Sequence, residues 1–81
     1  MRSFHLTIAR VDEPLFSGEV ASVLLPGKEG VFEVLAGHEA FVSELREGQI
    51  RVAAEDGKTY HFDIPGRGIA EVSSNQTTVL L

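Results

Sequence analysis

Six glycines, Gly18, Gly27, Gly37, Gly48, Gly57 and Gly66, punctuate the chain at intervals of 9, 10, 11, 9 and 9 residues. Turn signals at that spacing, with short apolar-rich runs between them, are the pattern of an all-β sandwich or barrel. The runs themselves alternate with the period of a strand. Phe4, Leu6 and Ile8 face one way, while His5 and Thr7 face the other. Val20 to Leu25 is apolar on both faces except at Ser22, which predicts a covered strand. Further runs lie at Val31 to Leu35, Phe41 to Leu45, Gln49 to Ala54, Lys58 to Ile64, Ile69 to Ser73 and Thr77 to Leu81. Val, Ile and Thr make up 17 of the 81 residues, and β-branched side chains suit a pleated surface. No stretch of a dozen residues has apolar spacing of three and four. The best helix candidate, Gly37 to Arg46, reads as a turn plus a short strand. The expected fold is a small antiparallel β-sandwich of roughly eight to ten short strands, without substantial helix, in one domain over residues 1–81.

One hairpin is specified to the residue. A two-residue Asp56-Gly57 loop would pair Ile50 with Asp63 and Val52 with His61, mixing core and solvent on one face. A three-residue loop, Glu55-Asp56-Gly57, instead pairs Ile50 with Phe62 and Val52 with Tyr60, and sets Arg51 opposite His61. Because a one-residue slip inverts every side chain, the three-residue loop is expected, with Gly57 left-handed in a bulge.

Charge and composition exclude several function classes. Twelve acidic against seven basic residues give −5, the wrong sign for tracking a nucleic-acid backbone. There is no cysteine, hence no disulfide, thiolate metal site or Cys nucleophile, and a reducing cytosol fits. No apolar run approaches the ~20 residues needed to span a bilayer. The opening Met1-Arg2-Ser3-Phe4-His5 leads straight into alternation, without a signal-peptide core.

Chemistry-bearing motifs are sparse. Pro26-Gly27-Lys28-Glu29-Gly30 contains Gly-Lys, but a phosphate loop needs an earlier glycine and a following Ser or Thr. Ser22 and Glu29 stand there instead, so the segment reads as a tight turn. The three histidines, His5, His38 and His61, lie on separate segments without paired ligand spacing. The six serines lack a nucleophile elbow, although a Ser-His-acid grouping in space is not excluded by the sequence. Asp12-Glu13 and Glu55-Asp56 read as solvated turn residues. Five Phe and one Tyr fall mostly on the apolar side of strands, as core. The unusual segment is Glu29 to His38, an apolar strand between two glycines that ends in a histidine turn suited to a contact surface.

The order of these residues resembles the N-terminal sandwich of the epsilon-subunit family of F-type ATP synthases, called delta in mitochondria. Phe4-His5-Leu6-Thr7-Ile8 resembles the family's first strand, and Leu15-Phe16-Ser17-Gly18 with Val20 its Phe-Ser-Gly turn. Glu29-Gly30 and Gly37-His38 match its Glu-Gly…Pro-Gly-His signature. Leu45, Gly48, Ile50 and Arg51-Val52 match its Leu-x-x-Gly-x-Ile-Arg run. Gly68 to Val72 with Thr78-Val79-Leu80 resembles its closing strands. The likeness covers essentially the whole chain.

Three departures stand out. Ala36-Gly37-His38-Glu39-Ala40 lacks both prolines of the family's turn, which predicts a less rigid turn. Glu33 replaces a usual glycine. The family's C-terminal helical hairpin, which carries the inhibitory arm and in some members binds ATP, has no counterpart before Leu81. The resemblance implies a non-catalytic rotor subunit that needs no cofactor or metal. It would link the gamma shaft to the c-ring in proton- or sodium-coupled ATP synthesis, at the cytoplasmic face of the bacterial plasma membrane. It would bind no nucleic acid and insert nothing into the bilayer. It places Lys28, Glu29, Gly30, Val31 and Glu33 at the ring, whose polar loops typically carry an arginine. It places Gly37, His38, Phe41, Val42 and Ser43 at the shaft. The competing expectation is a free-standing binding or enzymatic sandwich with a ligand pocket in its loops.

Overall fold

In the computed structural model, which describes residues 2–73 and 75–81, eight strands follow one another and no helix occurs among the described residues. They are β1 (Phe4–Arg10), β2 (Glu13–Gly27), β3 (Gly30–Leu35), β4 (Phe41–Leu45), β5 (Gly48–Ala54), β6 (Thr59–Ile64), β7 (Gly68–Val72) and β8 (Gln76–Leu80). One layer runs β3–β2–β5–β6 through antiparallel pairs. The other runs β1–β8–β7–β4, with β1 and β8 parallel. β2 belongs to both. Its first half pairs with β1, its second half with β3 and β5, and Gly27 at its end meets Leu45 of β4.

This long strand corrects the sequence reading. Leu15 to Gly18 is not a turn but the middle of β2, with Gly18 directly opposite Leu6. The turn falls instead at Val11-Asp12, and Glu13 already starts the strand. A Cβ at Gly18 would meet the Phe16 ring at 3.6 Å, an ordinary contact, so neither space nor φ requires glycine at this strand position. The remaining runs become strands within a residue or so of their expected limits, because each is a short period-two segment bounded by turn residues.

The core lies between the layers. Phe4, Leu6 and Ile8 of β1 are buried with Val20, Val23 and Leu25 of β2, Ile50 and Val52 of β5, and Val72 and Val79 of β7 and β8. Val20 and Val23 are three apart, which strict alternation forbids on one face. A bulge resolves this. Val20 opposes Ala54 and Ser22 opposes Ala53, so Ala21 is an extra residue and the alternation resets. Four phenylalanines, Phe16, Phe32, Phe41 and Phe62, pack half-buried around the core, and Phe16 meets Tyr60 and Phe62 at ring distances of 5.3 and 5.9 Å.

The β5–β6 hairpin has the expected three-residue loop. Ile50 pairs with Phe62, Arg51 with His61 and Val52 with Tyr60. Ala54 N–H donates to the Lys58 carbonyl at 2.8 Å, and Gly57 has φ 91°, a region that a side chain disfavours.

Thr77 is fully buried on β8, and its hydroxyl has no hydrogen-bond partner among the described residues. An unsatisfied buried hydroxyl costs on the order of 1–3 kcal/mol, while valine has nearly the same shape. Thr77→Val is therefore expected to stabilise the protein by about 1 kcal/mol, raising Tm by roughly 4–8 °C at this size. Calorimetry of the two proteins checks this; an unchanged or lower Tm contradicts it.

Candidate functional site

The β2–β3 hairpin closes with Gly27 opposite Gly30, leaving Lys28 and Glu29 as a two-residue loop. It is braced from the side. Lys28 N–H donates to the Glu44 carbonyl and Arg46 N–H to the Pro26 carbonyl, both at 2.9 Å, so the β4–β5 turn lies against the hairpin. Beyond the loop, alternation turns Phe32 and Val34 towards the core and leaves Val31 and Glu33 exposed, Val31 by 66%. The structure thus brings Lys28, Glu29, Gly30, Val31 and Glu33 together on one continuous surface, as expected. Lys28 is not a free cation there: its Nζ lies 3.6 Å from the Glu44 carboxylate. Both side chains are well exposed, so this pair contributes at most ~1 kcal/mol.

The second set is divided. Residues 36–40 link β3 to β4, and His38 N–H closes the turn on the Leu35 carbonyl at 3.2 Å. Gly37 has φ 82°. The Arg2 guanidinium lies beside it, a flexible side-chain end that could move aside for a Cβ, so the positive φ is what calls for glycine. His38 is half-buried. Its Nδ1 lies 2.9 Å from the Glu39 carbonyl, and since a carbonyl only accepts, Nδ1 carries the proton. Its ring stacks on Phe41 at 5.0 Å, and Phe41 meets Phe32 at 5.3 Å. Along β4, Phe41 packs against the core and Ser43 lies on the same face, its hydroxyl donating to the Glu44 carbonyl at 3.0 Å. Val42 points the other way and is 66% exposed. Of the five expected shaft-facing residues, then, Val42 is the one that offers an open apolar side chain, while Phe41 supports His38 from beneath. Among the described residues, the hydrogen-bond partner of the His38 ring is the Glu39 carbonyl, not a serine hydroxyl or a carboxylate.

A Ser-His-acid grouping does occur, but elsewhere. His5 on β1 lies directly opposite Glu19 on β2. Its Nδ1 is 3.1 Å from Glu19 Oε2 and its Nε2 is 3.1 Å from Ser17 Oγ, while Ser3 Oγ donates to Glu19 Oε1 at 3.1 Å. Sequence reading left this possibility open and could not place it, since it needs the β1–β2 register. The row lies on an exposed sheet face, and the grooves of the surface are lined by other residues. Ser3, His5, Ser17 and Glu19 form a cross-strand polar row. His5, His38 and His61 sit on three separate elements, and no group of three or more potential metal ligands occurs among the described residues.

A groove of about 500 Å³ crosses the outer face of β4, β7 and β8 beside Val42, Glu71 and Thr78. It is a wide depression in a sheet, the relief of a contact surface. Residues 3–81 match the family described as "ATP synthase, Delta/Epsilon chain, beta-sandwich domain". The chain belongs to this family. An ATP synthase epsilon chain of Caulobacter vibrioides is 44% identical over 81 residues, covering 99% of this chain and 91% of the relative. The epsilon chain of Chlorobium limicola is 37% identical over 79 residues, 98% of this chain and 89% of the relative. That of a Bradyrhizobium species is 44% identical, but this chain spans only 58% of its length. Among solved structures, a chain of the Euglena gracilis mitochondrial ATP synthase (OSCP/F1/c-ring) superposes with a TM-score of 0.88 at 34% identity. The match covers 96% of this chain and 49% of that one. A chain from the Tetrahymena thermophila central stalk and c-ring shares the fold, with a TM-score of 0.75 at 12% identity.

The polar row makes a prediction of its own. His5→Gln should change stability by no more than about 1 kcal/mol, the scale of an exposed pair. It should also leave any background hydrolysis of p-nitrophenyl acetate no different from that of free imidazole. Turnover abolished by both His5→Gln and Ser17→Ala would instead make the row a catalytic site.

Proposed function

We propose that this chain serves as the non-catalytic sandwich of a central-stalk subunit in F-type ATP synthase. It holds the gamma shaft against the c-ring during proton- or sodium-coupled ATP synthesis, at the cytoplasmic face of the bacterial plasma membrane. The observation that carries this reading is the family match over residues 3–81, continuous across every strand of the sandwich. Torque transmission calls for a rigid body with two separate contact surfaces. A two-layer sandwich whose longest strand runs through both layers supplies the rigidity. The ring-facing surface is Lys28, Glu29, Gly30, Val31 and Glu33, where Glu29 and Glu33 stand free to meet an arginine of the ring. The shaft-facing surface is Gly37, His38, Phe41, Val42 and Ser43, with Val42 outward and His38 set on Phe41.

Co-purification with the gamma subunit and the c-ring tests the assignment directly. Each exposed ion pair is worth about 0–1 kcal/mol, so a single reversal at Glu29 should weaken ring binding only modestly. Glu29→Lys combined with Glu33→Lys should weaken both ring binding and ATP-driven ion pumping while leaving gamma binding intact. Unchanged ring binding in the double variant would remove this surface from the ring contact.

The sandwich is also expected to bind no ATP by itself. Neither of its two Gly-Lys pairs completes a phosphate loop: Gly27-Lys28 is followed by Glu29, and Gly57-Lys58-Thr59 has Val52 where the earlier glycine is needed, while the net charge is −5. Ligand binding at a hundredfold excess over Kd would add ~2.7 kcal/mol and raise Tm visibly. Thermal melts with and without ATP should therefore coincide. An ATP-dependent rise would place a nucleotide site on the sandwich and end the purely mechanical reading.

A further inference from the structure

We propose that the outer face of the β3–β2–β5 layer is a docking groove for an acidic segment of a protein partner, one that presents a carboxylate beside an apolar side chain. This goes beyond the rotor reading. It concerns a neighbouring surface, calls for the opposite charge from the one Glu29 and Glu33 would meet, and holds whichever protein supplies the segment.

The groove has a volume of about 350 Å³. Its floor is apolar: Pro26 is buried, Leu24 is half-buried and Val31 is largely exposed. The register explains why these residues meet. Pro26 lies opposite Val31 on β3, and Leu24 lies opposite Arg51 on β5, so apolar and cationic side chains share one face. Arg46 borders the same groove from the β4–β5 turn, which its own N–H ties to the Pro26 carbonyl.

The groove brings two of the chain's five arginines to one place. The chain carries −5, yet neither guanidinium forms an ion pair among the described residues, where the pairs are His5 with Glu19 and Lys28 with Glu44. Arg51 Nε donates to Gln49 Oε1 at 3.3 Å, which steadies the guanidinium and leaves both Nη groups uncommitted. A planar guanidinium so presented suits a carboxylate bound by two parallel hydrogen bonds. Glu47 also lines the groove and opposes an anion, and Glu33 flanks it on the β3 side opposite Leu24, so the two cations of the lining are concentrated at its β5 end and at the β4–β5 turn. An inorganic anion would make no use of the apolar floor. An anionic membrane is attracted by clusters of roughly four to eight basic residues, and two arginines fall short of that. A peptide segment uses both halves of the site.

The test uses the full chain in solution, followed by NMR, with two capped tetrapeptides as probes: Glu-Leu-Glu-Leu and Gln-Leu-Gln-Leu. The acidic peptide is expected to shift the signals of Val31, Arg46, Gln49 and Arg51 saturably. Arg46→Gln with Arg51→Gln, and separately the change to the Gln peptide, should each weaken binding by about tenfold or more. Arg46→Lys with Arg51→Lys should retain part of the affinity, since charge remains but the bidentate fork is lost. The side chains are exposed, and an unchanged backbone spectrum verifies that each variant is folded. Equal binding of the two peptides, shifts confined to β4, β7 and β8, or no saturable shift up to about 10 mM peptide would overturn the proposal. So would arginine-dependent pelleting with phosphatidylglycerol vesicles while the peptide leaves the groove unshifted, which would assign this face to a lipid surface.

Discussion

The fold depends on β2 being shared. A sandwich built from separate sheets is held together by side chains alone, but here one backbone strand hydrogen-bonds in both layers. Two bulges make that possible, and both lie in β2. Leu15 is the extra residue where Ile8 and Ala9 face Phe16 and Pro14, and Ala21 is the extra residue where Ala53 and Ala54 face Ser22 and Val20. A bulge bends and twists a strand, and strands that pass from one sheet to another commonly do so at such places. The bulge at Ala21 also keeps Val20 and Val23 in one core despite their odd spacing. A load on β3 therefore reaches β1 through continuous backbone.

The outer faces then acquire distinct chemistries from ordinary alternation. On the β3–β2–β5 side, Glu33, Leu24 and Arg51 form one row across three strands. The acidic and basic ends lie two strand spacings apart, about 10 Å, too far to neutralise each other directly. On the β4–β7–β8 side, Val42, Ile69 and Leu80 are exposed among Glu44 and Glu71. Neither face resembles an enclosed site. Each offers apolar area edged by charge, the composition of a contact surface in which apolar contact supplies affinity and charge supplies orientation.

What the sequence revealed follows the range of the interactions involved. The Glu55-Asp56-Gly57 loop was legible because pairing Ile50 with Phe62 and Val52 with Tyr60 is a local matter of keeping apolar residues on one face. The exposure of Val31 and Glu33 was legible for the same reason, since they alternate with Phe32 and Val34. β2 was not. Gly18 looks like punctuation, yet it lies inside a strand directly opposite Leu6, with ordinary space for a Cβ. The parallel pairing of β1 with β8 joins opposite ends of the chain, beyond the reach of a local pattern. The row of Ser17, His5 and Glu19 depends on a β1–β2 register that the bulge at Leu15 shifts, and Arg46 and Arg51 line one groove only where the β4–β5 turn is tied to Pro26.

The two departures from the family's pattern in the middle of the chain have structural consequences. Without prolines at 36 and 40, the β3–β4 turn cannot draw rigidity from fixed φ angles. It is held instead by the His38 N–H on Leu35, by Nδ1 on the Glu39 carbonyl, and by the stack of His38, Phe41 and Phe32. Rigidity has moved from the backbone to side-chain packing that reaches the core, so the turn is coupled to the sandwich rather than stiff on its own. Glu33 tells a similar story. No non-glycine residue among those described has a positive φ, so Glu33 occupies ordinary extended backbone. A glycine there would be dispensable for conformation in this chain, and the carboxylate that replaces it adds a second anion to the surface that already presents Glu29. The substitution thus leaves the fold alone and changes the charge a partner meets.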